Sequence, residues 1–200
     1  MSLRRFSWRR APLAWALLAG LAVTPVWSVR AADDADDRRA RIGLRLFRTA
    51  LAADIDLSAK VNPDGRLRLL IVHADQPDRA QAFATELAQT GQGGRAGQIR
   101  DWPYTVAVSN DLAPAALAAH RPAGIYIVQD LPAAALATLV AYGIREHVIV
   151  YSAIEGHVEK GVLGGLDVGV RVLPYINLAT LRASEVHLKE LFLKVAKQHE

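Results

Sequence analysis

Apolar and polar positions alternate along this chain in blocks that change period. In "RIGLRLFRTALAADI" (41–55), Ile42, Leu44, Leu46, Phe47, Leu51 and Ile55 recur at near-helical spacing with arginines on the other face, which predicts an amphipathic helix. "VNPDG" (61–65) has turn composition, and "RLRLLIVHAD" (66–75) becomes continuously apolar, as does a strand buried on both faces. "QPDRAQAFATELAQT" (76–90) returns to the helical period, with Pro near its start. "GQGGRAGQIRDWP" (91–103) reads as a Gly-rich linker.

A short pattern then occurs twice. "YTVAVSN" leads into "DLAPAALAAH" (111–120), and "GIYIVQ" leads into "DLPAAALATLVAYG" (130–143). Each unit reads as strand, Asp cap and Ala/Leu helix. A third strand, "HVIVYS" (147–152), follows, and "LDVGVRVLPYIN" (166–177) is strand-like again. A final helix is expected from Leu178 onward, with a break near Ser184-Glu185 and a stripe of Leu188, Leu191, Phe192 and Val195. Strands alternating with helices predict a single-domain α/β fold: a mostly parallel open sheet of about five strands flanked by helices.

The polar residues at the strand ends matter more once that fold is assumed, because ligands of open parallel sheets sit beyond the carboxyl ends of the strands. His73, Asp75, Ser109, Asn110, Gln129, Asp130, Ser152 and Glu155 are the candidates for a ligand or partner site. Polar caps at strand–helix turns would give the same pattern without any ligand.

The amino-terminal end changes the charge picture. Four arginines, Arg4, Arg5, Arg9 and Arg10, precede an apolar run from Ala11 to Val26, and small residues follow. This is the layout of a secretory signal peptide over residues 1–31, cleaved after Ala31 or Ala32, with one domain over 32–200. The run is interrupted by Pro25 and falls short of the roughly 20 residues of a spanning helix, although an uncleaved anchor remains the alternative. Residues 1–31 carry five of the 24 basic residues and no acid, so 19 basic residues face 20 acidic ones in the processed chain. A net charge of −1 and export to the periplasm both argue against a nucleic-acid partner. "DDADDRR" (33–39) then reads as a charged, mobile leader. The chain has no cysteine, which removes disulfides, a thiol nucleophile and a thiolate metal site, and leaves the core to hold the fold.

The densest chemical signal is "EKGVLGGLDVG" (159–169). It lacks the Gly-Lys-Ser/Thr of a phosphate loop, and its glycines do not stand in the GxGxxG spacing between strand and helix. Gly156, Gly161, Gly164, Gly165 and Asn177 are therefore read as a structural connection rather than a cofactor cradle, and no cofactor is expected. Glu155, His157 and Glu159 would share one side of an extended segment and could face a metal, but no helical zinc motif accompanies them and no metal is expected. Ser152 sits outside a nucleophile-elbow motif, and the Ser109-Asn110-Asp111 run reads as a helix cap.

From residue 147 on, "HVIVYSAIEGHVEKGVLGGLDVGVRVLPYINLATLRASEVHLKELFLKVAK" resembles the carboxy-terminal half of the YfiR-like family of periplasmic proteins. The strand ending at Ser152, the lone Gly156, the loop of Gly161, Gly164 and Gly165, the triplet Ile176-Asn177-Leu178 and the tail from Leu191 to Ala196 carry the likeness. "RLRLLIV" and "PAGIYIV" extend it loosely toward residue 66. The resemblance implies a non-enzymatic periplasmic regulator that binds and restrains an inner-membrane signalling protein of the diguanylate cyclase type, and so affects cyclic-di-GMP and biofilm formation. Ala153 stands where the family has Asp, and the family's cysteine pairs are missing, which argues against redox sensing. The rival expectations are a solute-binding protein of a transporter and, less favoured, a periplasmic hydrolase using Ser152 or the Glu155–Glu159 cluster. A homodimer is compatible with all three.

Overall fold

The computed structural model describes residues 27–90 and 96–200. The apolar run of the expected signal peptide and the first part of the Gly-rich linker lie outside the described residues. The elements are helix α1 (Trp27–Ala53), a single 3-10 turn (Leu57–Lys60), strand β1 (Leu67–Val72), α2 (Pro77–Gln89), β2 (Gln98–Ile99), β3 (Trp102–Ser109), α3 (Pro114–His120), β4 (Gly124–Ile127), α4 (Ala133–Arg145), β5 (Ile149–Ser152), β6 (Gly164–Val168), β7 (Val172–Asn177), α5 (Leu178–Ala183), α6 (Glu190–Val195) and β8 (Lys197–His199).

The sheet has eight strands in the order β2-β3-β1-β4-β5-β6-β7-β8, larger than the five expected. The five are nonetheless its centre: β3, β1, β4, β5 and β6 run parallel, while β2 and β7 are antiparallel to their inner neighbours and β8 runs with β7. The additional strands come from two short pieces and one hairpin. β2 and the start of β3 occupy part of the expected linker. "LDVGVRVLPYIN" is not one strand but β6 and β7 folded on each other, with Val168 opposite Val172. β8 uses the chain's last residues, which had been assigned to the final helix.

The parallel strands are two-faced as their apolar runs require. Leu69 and Ile71 of β1 belong to the core under α1 and α2, and Leu70 and Val72 to the core under α3 and α4. Each such fully buried side chain contributes about 1.5–3 kcal/mol. From β1 the chain crosses by α2 to β3 on one side, then by α3 to β4 on the other. The helices therefore fall on opposite faces, as one crossover hand demands. The direction of winding reverses between β1 and β4.

α1 covers one face diagonally. Its Phe47, buried together with Leu44 and Leu51, packs with Tyr126 and Tyr151 at ring-centroid distances of 5.6 and 5.9 Å. Burial raises both tyrosines' pKa values, so their hydroxyls stay protonated and donate: Tyr126 to the Ala40 carbonyl at 2.6 Å, Tyr151 to that of Gly165. Ile55 lies beyond this helix and is exposed, so the expected stripe ends at Leu51. The charged segment 33–39 is not a loose leader. It continues α1, and Arg39 reaches across to donate to the carbonyls of Ala153 and Leu166. The same helix runs unbroken through Ala31 and Ala32. Among the described residues no helix is long and apolar enough to cross a membrane.

The carboxy-terminal segment breaks where expected: Glu185 has φ +51° and follows the Ser184 C-cap. Leu188 then bridges to Asp54, and the Lys189 amide donates to the Ala53 carbonyl, which strings this segment along the end of α1. Only Leu188 and Phe192 of the expected stripe are buried. Leu191 and Val195 face outward because α6 is just Glu190–Val195.

Candidate functional site

Beyond the carboxyl ends of β4 and β5 lies a cleft of about 580 Å³. Its floor is the strand ends themselves: Ile127, Val128, Gln129 and Asp130 after β4, and Ala153, Ile154 and Glu155 after β5. α1 forms one wall with Asp36, Arg38, Arg39 and Ile42, Arg79 of α2 adds to it, and Val168 and Val172 of the β6–β7 hairpin close the other side. Such a position adjoins the reversal between β1 and β4, where open parallel sheets form their crevice. The volume falls within the roughly 300–1,000 Å³ of small-molecule sites.

Of the eight residues expected at this edge, three line the cleft: Gln129, Asp130 and Glu155. Asp75 sits behind it and is bound to Gln129, whose Nε2 donates to Asp75 Oδ1 at 2.6 Å. Gln129 Oε1 in turn accepts from the amides of Asp75 and Gln76. This clamp fixes the start of α2. The remaining four are not cleft residues. His73 is buried, with its amide bonded to the Ser109 carbonyl and its Nδ1 without a hydrogen-bond partner among the described residues. Ser109 turns back on Asp111 and Asn110 is exposed. Ser152 is wholly enclosed.

Neither helix that follows a strand end is capped by its aspartate. Ala113 and Pro132 occupy the N-cap positions. Asp111 accepts instead from the Ala113 amide at 3.0 Å, and Asp130 from the Leu131 amide at 3.0 Å.

Asp130 also holds the centre of the site. His157, fully buried, donates from Nε2 to Asp130 Oδ1 at 2.8 Å, and its Nδ1 lies 2.9 Å from Ser152 Oγ. The Asp130 carboxylate only accepts, which assigns a ring proton to Nε2; in the neutral ring Nδ1 then accepts from Ser152 Oγ, which itself accepts from the Ile154 amide at 3.1 Å. The hydrogen bond from His157 holds the Asp130 carboxyl below the usual carboxylate value, against a smaller opposing effect of desolvation. The Asp130 carboxylate remains open to the cleft, with a side-chain exposure of 76%.

This serine–histidine–aspartate chain differs from a hydrolytic triad, in which Nε2 faces the serine and Nδ1 the carboxylate. Here the two nitrogens are exchanged, and no substrate carbonyl reaches the enclosed Ser152. The chain does something else. Parallel β5 and β6 pair at Tyr151 and Gly164 and are joined by residues 153–163 without a regular helix, a short path for a parallel crossover. His157 pins that connection from below. Asn177 pins it from the side, donating to the Val158 carbonyl at 2.8 Å while it caps α5 through the Thr180 amide. Thr180 Oγ1 donates to the Gly161 carbonyl at 2.8 Å.

The glycines divide accordingly. Gly156 (φ +78°) and Gly161 (φ +100°) turn the connection. Gly164 and Gly165 are not loop residues but open β6, where a Cβ on Gly164 would lie 2.6 Å from the Tyr151 ring. The expected side-by-side array of Glu155, His157 and Glu159 is absent, because the segment is turned rather than extended: His157 points in and both glutamates point out. Their inward and outward directions were not legible without knowing that the segment is a series of turns. The arginines of 33–39 were missed as site residues because that stretch reads as disordered by charge alone.

No family model matches this chain, and no curated protein matches it. Among solved structures it is similar to a conserved domain protein of Vibrio cholerae, with 16% identity and a TM-score of 0.48 over 73% of this chain. It is also similar to an ABC domain in complex with L-Trp from Streptococcus pneumoniae, with 14% identity and a TM-score of 0.45 over 74% of this chain. The chain spans 58% and 61% of the length of those two proteins.

Proposed function

We propose that this protein is a non-enzymatic binding protein of the periplasm that takes a small molecule in the cleft beyond β4 and β5. The observation that carries this reading is the cleft's construction. It lies at the carboxyl edge of a parallel sheet, mixes apolar surface from Ile42, Ile154, Val168 and Val172 with its polar lining, and presents charged groups of both signs. The enclosure of Ser152 weighs against the hydrolase alternative. A ligand at a hundredfold excess over its Kd adds about 2.7 kcal/mol of stability, which corresponds to a rise in Tm of about 5–10 °C for a domain of this size. Screening the purified protein by thermal shift against amino acids, nucleotides, sugars and organic anions tests it; a flat response throughout the screen overturns it.

A second reading keeps the role implied by the YfiR-like resemblance, restraint of an inner-membrane signalling protein. The tip of the β6–β7 hairpin favours it: Val168, Val170 and Val172 are all exposed there, beside the cleft mouth. A tip of this kind suits a protein contact that responds to what the cleft holds. Crosslinking in cells followed by mass spectrometry tests this reading. Recovery of a membrane protein through contacts at residues 168–172 supports it, and recovery of a transporter permease favours solute delivery instead.

A further inference from the structure

The cleft draws its charged groups of each sign mainly from different elements. The carboxylates of Asp130 and Glu155 stand at the strand ends, and the guanidiniums of Arg38, Arg39 and Arg79 stand on the helical wall, with Asp36 as the one acid among them. Two of these cations are partly engaged. Arg39 donates to two backbone carbonyls, which fixes its position without neutralising it. Arg79 is paired with Asp37 at 3.0 Å and donates to Gln76. Arg38 and Glu155 make no ion pair among the described residues, and Asp130 commits only one oxygen, to His157 and the Leu131 amide. Between the two charged sides, Ile154, Val168 and Val172 present apolar surface.

A ligand that fills this cleft displaces water from the charges that line it, so one with a single charge would leave the other side unpaired and less solvated. A zwitterion with an apolar body meets all three surfaces at once. Resting on the reading of the cleft as a small-molecule site, we propose that its ligand is a small zwitterion of the amino-acid class. Its ammonium lies at Asp130 and Glu155, its carboxylate toward Arg38 and Arg39, and its apolar side chain against Val168, Val172 and Ile154. The clamp of Gln129 on Asp75 and the His157 bond to Asp130 hold the ammonium side rigid before the ligand arrives, which lowers the ordering cost of binding.

The test is calorimetric titration of the full chain, as its host processes it, with L-phenylalanine and L-leucine. 3-Phenylpropionate, which lacks the ammonium, and phenethylamine, which lacks the carboxylate, serve as comparisons. The expected result is binding of at least one amino acid, with the matching single-charge analogue weaker by about tenfold or more. Asp130→Asn and Glu155→Gln should each weaken the amino acid while leaving 3-phenylpropionate unchanged, and Arg38→Gln should weaken the amino acid while leaving phenethylamine unchanged. Analogues that bind as well as the amino acids overturn the zwitterion assignment. Failure of both amino acids, with a nucleotide, sugar or organic anion binding in the thermal-shift screen, also overturns it but leaves the cleft reading intact. Failure of every compound overturns both.

Discussion

The two ends of the sheet treat their charged groups differently. At the amino end, where α1 finishes, Asp54 is fully buried and closed on every side. Its carboxylate takes the Lys60 ammonium and the Asp56 amide, while its backbone carbonyl takes Arg100. Asp56 in turn binds His187 at 2.7 Å, which ties the carboxy-terminal segment to the same corner. At the carboxyl end, Asp130 has one anchored oxygen and an exposed carboxylate, and Arg38 and Glu155 stand without ion pairs among the described residues. A charge that is buried and paired fixes the chain but offers nothing to a ligand. A charge that is held in place with capacity left over can do both. Stability should therefore concentrate at the amino end and recognition at the carboxyl end, and substitutions can separate the two.

The largest effect is expected for Asp54→Ala. It leaves the Lys60 ammonium, whose side chain is only 14% exposed, without its partner. Breaking a buried pair from one side costs about 3–5 kcal/mol. Urea denaturation should show this as a lower midpoint with an unchanged slope, and any ligand of the cleft should bind the folded variant with wild-type affinity. An unchanged midpoint would mean that the corner is not where stability is stored.

Gly164→Val comes next, at about 1–3 kcal/mol, because the added side chain meets the Tyr151 ring, which is stacked on Tyr126 and packed against Phe47. The cause is space, not backbone conformation. Gly161→Ala reverses that: its Cβ would find Val140 at an ordinary 3.4 Å, but φ +100° strains any L residue by about 1 kcal/mol or more. Comparable losses from Gly164→Ala and Gly161→Ala, measured side by side, would show that these two causes weigh alike.

His157→Ala sits between the two regions. It leaves the Ser152 hydroxyl without its acceptor and opens a cavity beneath residues 153–163, for about 2–3 kcal/mol. Because that connection carries Ile154 and Glu155 into the cleft, this variant should also lose ligand affinity, unlike Asp54→Ala. Faster amide hydrogen exchange confined to 153–163 is the expected signature, and exchange that stays at the wild-type rate there would argue against the pin.

Much of this division was legible in the sequence, and the parts that were not have physical causes. The repeated strand–Asp–helix units and the apolar run at 66–72 specify the parallel centre, because period and burial agree there. The carboxyl-edge rule brought Gln129, Asp130 and Glu155 to one cleft. It misplaced His73, Ser109, Asn110 and Ser152, since the rule names an edge and not the segment of it that opens. The hairpin was hidden because Gly169 and Arg171 interrupt an apolar run too briefly to mark a turn. The segment 33–39 looked disordered by its charge, yet its Arg39 bonds to carbonyls more than a hundred residues away, a relation that no local pattern records.

The smallest effect is the most informative about how the carboxyl edge works. His157 lowers the Asp130 pKa, so the carboxylate adds stability above the unfolded value of 3.8, and that stability is lost as pH falls from there through the lower folded value. With so exposed a side chain the contribution is less than about 1 kcal/mol. Asp130→Asn keeps an acceptor for the His157 Nε2 proton and removes the titration. Its stability should therefore fall less steeply than the wild type's below pH 4, while the two curves run parallel above pH 5, as measured by urea midpoints across that range. Superimposed acid limbs would mean that the carboxylate draws nothing from His157, and that residues 153–163 are held by their bonds to Ser152, Asn177, Thr180 and Arg39. Divergent limbs mean that the two groups share one proton-linked bond. A ligand ammonium arriving at the free oxygen of Asp130 would then draw charge from the carboxylate that His157 also binds, and occupancy of the cleft would be felt in the connection that leads to the valine hairpin.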